Sequence, residues 1–171
     1  MSDLSKNAAF DTLDDLLDAS MDDIEGLPPF SIPPTGFYQL AVTAESGMVG
    51  AAGKEKAVII FKYTVQALLE VANPEEANQA QAGMEFEEKF IFKGKDGKTN
   101  EKSVGAWKNR MEIFVKHFGL NPSAKGVLRE AMMKIQAVAI TASVKRVPQK
   151  MEDGTLSDEF FNARVKDVAV L

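Results

Sequence analysis

A mainly β, α+β fold is what this chain of 171 residues predicts, with five strands and a helical segment between the third and the fourth. Two observations carry that expectation. Five separate stretches are β-rich or alternate with a period of two, and a period near 3.6 takes over only between the third and fourth of them. A third observation marks where the folded body begins. The segment "GLPPFSIPPTG" (26–36) puts four prolines and two glycines between an acidic leader and all that follows. Proline fixes φ and disfavours helix in the residue before it, so this segment reads as a stiff linker. The chain therefore divides into an arm (1–25), a linker (26–36) and a folded domain (37–171).

The first strand is "FYQLAVTA" (37–44), with Tyr38, Leu40 and Val42 on one face and Phe37, Gln39 and Thr43 on the other. A glycine-rich loop, "ESGMVGAAGKEK", separates it from "AVIIFKYTVQALLEV" (57–71), where β-branched and aromatic residues favour a long second strand. After the polar stretch "ANPEEANQAQAG", the segment "MEFEEKFIFKG" (84–94) sets Phe86, Phe90 and Phe92 on one face against Glu85, Glu87, Lys89 and Lys93. Helical spacing then appears in "SVGAWKNRMEIFVKHFGL", where Trp107, Met111, Phe114 and Phe118 fall at intervals of four, three and four. Gly119 and the Asn121-Pro122 pair end it. A second helical piece, "AKGVLREAMMK", leads into the fourth strand, "IQAVAITASVKRV" (135–147), and the turn "MEDGTLSDE" into the last, "FFNARVKDVAVL".

Three strands, helix, two strands is the order of the OB-fold, a small five-stranded barrel whose open face commonly binds oligonucleotides. The succession "PPTGFYQLAV", "VIIFKYTV", "FEEKFIF", a helix closing on "FVKHFGL" and a terminal "FFNARVKDVAVL" resembles the small OB-fold single-stranded DNA-binding proteins encoded by bacteriophages. The likeness covers residues 30–171 and rests on order and texture. It implies a non-enzymatic protein that coats single-stranded DNA in replication or recombination. Bacterial members of that class carry an acidic tail at the C-terminus, whereas here the acid stands at the front.

Composition narrows the chemistry. There are no cysteines, so disulfides, thiolate metal sites and cysteine nucleophiles are excluded. His117 is the only histidine and lies in no nucleophile motif; "GMVGAAGK" lacks the spacing and the Ser or Thr of a phosphate-binding loop. No calcium-loop pattern occurs among the acids. The expectation is a protein that is not an enzyme and needs no cofactor or metal. Neither a signal peptide nor a run of about 18 apolar residues is present, which predicts a cytoplasmic protein, in the host cytoplasm if phage-encoded.

The net charge of −5 conceals an asymmetry. Residues 1–25 hold eight acidic side chains against Lys6, a net of −7, which leaves 17 acidic and 19 basic residues in 26–171, a net of +2. Binding single-stranded nucleic acid needs cations that follow the phosphates and aromatic faces on which bases stack, at about 1–3 kcal/mol per base. Strand alternation supplies the cations Lys62, Lys89, Lys93, Lys145, Arg146, Arg164 and Lys166, with Lys150 in the adjoining turn. Tyr38, Tyr63 and Phe160 adjoin polar faces and are the stacking candidates, while Phe86, Phe90, Phe92, Trp107, Phe114 and Phe118 read as core.

In the leader, Phe10, Leu13, Leu17, Met21 and Ile24 fall at spacings of three, four, four and three, which fits a helix with one apolar stripe and an acidic back. A disordered solubilising arm fits the composition equally. As a helix, the stripe would dock replication or recombination proteins, or the chain's own body, and self-association is open. Two functions therefore compete: sequence-tolerant binding of single-stranded DNA, and a protein-interaction or virion-assembly module that touches no nucleic acid.

Overall fold

The computed structural model describes residues 12–21, 32–50, 56–94 and 97–171, with the side chains of Val49 and of residues 158–160 left aside. The chain forms two compact units, Met1–Ser31 and Ile32–Leu171. In the first, helix α1 spans Leu13–Asp18. Thr12 caps it by accepting a hydrogen bond from the Asp15 amide at 3.1 Å, and Asp14 and Asp15 place negative charge on its first turn, where the helix dipole favours it. Phe10 and Ile24, the outer members of the expected stripe, lie outside the described residues.

The second unit is one antiparallel sheet of five strands, β1 (Gly36–Val49), β2 (Lys56–Val71), β3 (Glu85–Ile91), β4 (Val138–Lys150) and β5 (Leu156–Val170), in the order β3-β2-β1-β4-β5. Two hairpin connections lay down β1, β2 and β3; the chain then crosses through helices and returns β4 beside β1, a Greek-key path. Register places Tyr38, Leu40 and Val42 opposite Ala142, Ile140 and Val138, so the apolar alternation read in β1 matches that of β4 on a single face. In β2 two extra residues, Gln66 and Leu69, have no partner in β1. Such bulges bend a strand and deepen its twist.

The core packs on that inner face. Phe61, Tyr63, Phe86, Phe90 and Phe114 are buried together, with Tyr63 stacked on Phe86 at 5.1 Å and Phe90 edge-on to Phe61 at 5.6 Å. Each such ring contributes about 1.5–3 kcal/mol by leaving water. Helix α2 (Glu101–His117), capped by Asn100, adds Met111, Phe114 and Val115 to this cluster; α3 (Val127–Lys134) adds Val127 and Ala131. Of the aromatics expected in the core, Phe92, Trp107 and Phe118 are only partly buried against it.

The α+β class and the helical segment between β3 and β4 agree with expectation, but the sheet is not closed into a barrel. Its edge strands, β3 and β5, come within 8 Å of each other without a backbone ladder among the described residues. A side chain spans the seam instead. From α2, Arg110 donates to Glu88 of β3 at 2.7 Å, to the Tyr63 hydroxyl of β2 at 2.6 Å and to the Val165 carbonyl of β5 at 2.9 Å. Among the described strands, β3 (seven residues) pairs with β2 alone.

Several boundaries differ from the sequence reading, β4 running Val138–Lys150 where 135–147 was expected and β3 ending at Ile91. β1 continues to Val49 because its partner β2 keeps supplying ladder bonds through Ser46, Gly47 and Met48. β5 likewise starts at Leu156, paired with Lys150. The folded unit begins at Ile32, before the expected start at residue 37, because Ile32 packs on the core and the Tyr38 hydroxyl donates to the Pro34 carbonyl.

Candidate nucleic-acid interface

Three of the expected nucleic-acid contacts are corrected by their burial. Tyr38 and Tyr63 are 0% and 1% exposed, so neither ring has a face to offer a base. Desolvation pushes the Tyr38 hydroxyl up to about 12 and the Tyr63 hydroxyl well above its ordinary value, with Glu88 adding to the latter. Arg146 follows Lys145 in sequence, but alternation turns it to the opposite side. There it pairs with Glu76, donates to Gln79 at 2.9 Å and lies over the Phe161 ring at 5.0 Å, holding the 3₁₀ turn Pro74–Gln79 to the sheet. Its donors serve the fold.

On the outer face of β1, β2 and β3 the cations are answered by carboxylates. Lys62 binds Glu45 at 2.9 Å, which raises its ammonium above the usual lysine value, and it stands opposite Glu87 in the β2–β3 register. Lys89 lies 3.7 Å from Glu87. Glu85 sits on the same face, opposite Thr64. These pairs are exposed and screened, but they leave this part of the sheet without a surplus of positive charge. Lys93 lies beyond β3 in an isolated bridge to Thr99 and is exposed.

The outer face of β4 and β5 is different. Lys145 of β4 stands directly opposite Arg164 of β5, and two residues on, Ser143 faces Lys166. All three cations are exposed, and none has a carboxylate partner among the described residues. Like charges at a cross-strand position repel, so this register carries a cost that an anion would remove. Phe37 of β1 pairs with Ser143 from the other side, which sets Phe37, Ser143 and Lys166 in one row across three strands. Its ring is part-exposed and stands outside the core cluster. The sequence reading left Phe37 out of the stacking candidates, although its own alternation had put Phe37 on the face of Gln39 and Thr43. Lys150 is exposed at the far end of β4, and the Phe160 side chain lies outside those described.

Elsewhere the described residues line further concavities, two of them near the helices. A groove of about 970 Å³ runs between the end of α2 and the start of α3. A smaller one, about 550 Å³, is bounded by Trp107, Ile59, Leu128 and Met132. The Trp107 indole N–H is buried without an acceptor. His117 is exposed and meets Phe118 edge-on at 5.3 Å. Among the described residues there is no group of three or more His, Cys, Asp or Glu that could hold a metal, and no helix long and apolar enough to cross a membrane. Comparison with protein-family models, with curated proteins and with solved structures finds no match to this chain.

Proposed function

We propose that the protein binds single-stranded DNA with little sequence preference and serves DNA replication or recombination without catalysing a reaction, as the resemblance to bacteriophage OB-fold proteins implies. The observation that carries this reading is the unanswered basic pair Lys145–Arg164, with Lys166 and the Phe37 ring one row away. Cations spaced along a strand pair follow a phosphate chain, and a ring beside them gives a base a stacking surface without reading its identity. The strand order, with helices between β3 and β4, supports assignment to the OB class; Arg110 then does by side chain what a β3–β5 ladder does in a closed barrel.

Fluorescence anisotropy of labelled oligo-dT tests it. The full chain should bind at about 50 mM salt and weaken steeply toward 200 mM, and replacing Lys145 and Arg164 by Ala should lower the slope of log K against log salt by about 0.7 per lost phosphate contact. No binding at the lower salt sinks the proposal. Equal binding to the double variant moves the interface elsewhere. A protein-interaction module is the second reading, favoured by the exposed apolar side chains of α1 and by the neutralised face of β1 to β3.

A further inference from the structure

We infer that the row of Glu70, Phe37, Ser143 and Lys166 is a subsite for one nucleotide of a bound single strand, and that Glu70 makes this subsite select guanine. The inference rests on the single-strand reading and deepens it. The cations hold the strand without regard to sequence, while one base among those bound is read.

Register builds the row. Phe37 pairs with Glu70 of β2 on one side and with Ser143 of β4 on the other, and Ser143 pairs with Lys166 of β5. Residues directly opposite in an antiparallel pair share a face, so the four stand in line across the outer face of four strands. Neighbouring strands lie about 4.8 Å apart, which separates the Cα atoms of Glu70 and Lys166 by about 14 Å. That span leaves room for one nucleotide between the two charges.

The bulge at Leu69 sets both Leu69 and Glu70 against Phe37. Leu69 is half-exposed and adds an apolar side chain beside the ring. Close approach of the strands fixes the Glu70 backbone, because a Cβ on Gly36 would meet the Glu70 carbonyl oxygen at 2.4 Å. Glu70 and Lys166 are exposed, and neither has an ion-pair partner among the described residues. Glu45 and Glu87, on the same outer face, each hold a lysine instead.

A row negative at one end and positive at the other orients what binds across it. Phosphate goes to Lys166 and away from Glu70, which leaves the base over Phe37 with its pairing edge toward the carboxylate. An ionised carboxylate only accepts hydrogen bonds, and it takes two parallel N–H donors at once. Guanine presents such a pair, N1–H and the N2 amine. Adenine and cytosine present one amine beside a ring acceptor, and thymine one N–H between two carbonyls, so each leaves the carboxylate half-used or repelled.

Fluorescence anisotropy with three labelled strands of about 12 nucleotides tests the inference. The strands are oligo-dT, alternating dG-dT, and alternating deoxyinosine-dT, whose hypoxanthine stacks as a purine and keeps N1–H but lacks the N2 amine. The wild-type chain should bind the dG-dT strand about fivefold tighter than oligo-dT, the low end for a bidentate base contact, and the inosine strand should fall back toward oligo-dT. Glu70→Gln, confirmed as folded by circular dichroism, should erase the guanine preference without weakening the hold on oligo-dT, since a negative charge beside the phosphates is removed. Three results overturn the subsite and leave the single-strand reading standing: equal affinity for dG-dT and oligo-dT, inosine bound as tightly as guanine, or a preference that survives in Glu70→Gln. Failure to bind any of the three strands at about 50 mM salt overturns both.

Discussion

Arg110 concentrates more of the fold than any neighbour of similar size. One guanidinium serves three strands and is nearly buried, with 12% of its side chain exposed against 17% for Glu88. Charge-assisted bonds of this kind are strong when complete and costly when halved, because the remaining partner keeps its charge in a desolvated site. Arg110→Met should therefore cost about 3–5 kcal/mol in urea denaturation, and Arg110→Met combined with Glu88→Gln should recover part of it. If the single variant costs under about 1 kcal/mol, the seam is held by packing and the arginine is incidental. Nothing in the local sequence marks this residue: "KNRMEIF" puts Arg110 beside Met111 on an amphipathic helix, where an arginine is ordinarily solvated. Arg146 misleads in the same way. Lys145 and Arg146 look equivalent as a basic pair, yet alternation sends one to water and the other to Glu76.

Among the elements, the inner face of β1 was legible in its alternation, and the bulges of β2 were not. Tyr38, Leu40 and Val42 alternate cleanly and all three are buried, whereas the bulges at Gln66 and Leu69 depend on which residues of β1 come to lie opposite. The β1–β2 pair closes at its entry on Gly36. A Cβ there would sit 2.4 Å from the Glu70 carbonyl oxygen and 3.2 Å from the Val71 Cα, both backbone atoms that cannot swing aside. Gly36→Ala should thus force the two strands apart and cost about 1–3 kcal/mol by thermal or urea unfolding. A variant as stable as wild type shows that the strand entry is pliable. β5 makes a similar adjustment near its end. Asp167, at φ 54°, takes the left-handed conformation that Asp tolerates better than most residues, and the register shifts there between β4 and β5. Beyond it Val168 and Val170 rejoin the core although Val165, of opposite parity, is also buried.

For the whole molecule, the two tyrosines tie stability to alkaline pH. Both hydroxyls stay protonated in the folded chain above 10.0, the ordinary tyrosine value, where those of the unfolded chain ionise. The unfolded state then binds fewer protons than the folded one, so this contribution is complete below about pH 10 and declines as pH rises through the Tyr38 value of about 12. Tyrosinate absorbance should accordingly appear in step with the loss of ellipticity, since the chain has only two tyrosines to report. Tyrosinate formed near pH 10 with ellipticity intact contradicts the burial of both rings.

The sequence by itself determined the class of fold, the strand and helix order, the acidic leader and three of the cations of the β4–β5 face, Lys145, Arg164 and Lys166. These follow from local periodicity and charge count, which each residue carries wherever the chain goes. Tertiary structure alone decided that Tyr38 and Tyr63 are core, that Lys62 and Lys89 face carboxylates, that Phe37 joins the basic row, and that an arginine from α2 spans an open seam between β3 and β5. Apart from Lys89, whose partner Glu87 is two residues away in β3, each of these depends on which residue of a distant element lies opposite, and register is set by packing and ladder bonds across tens of residues.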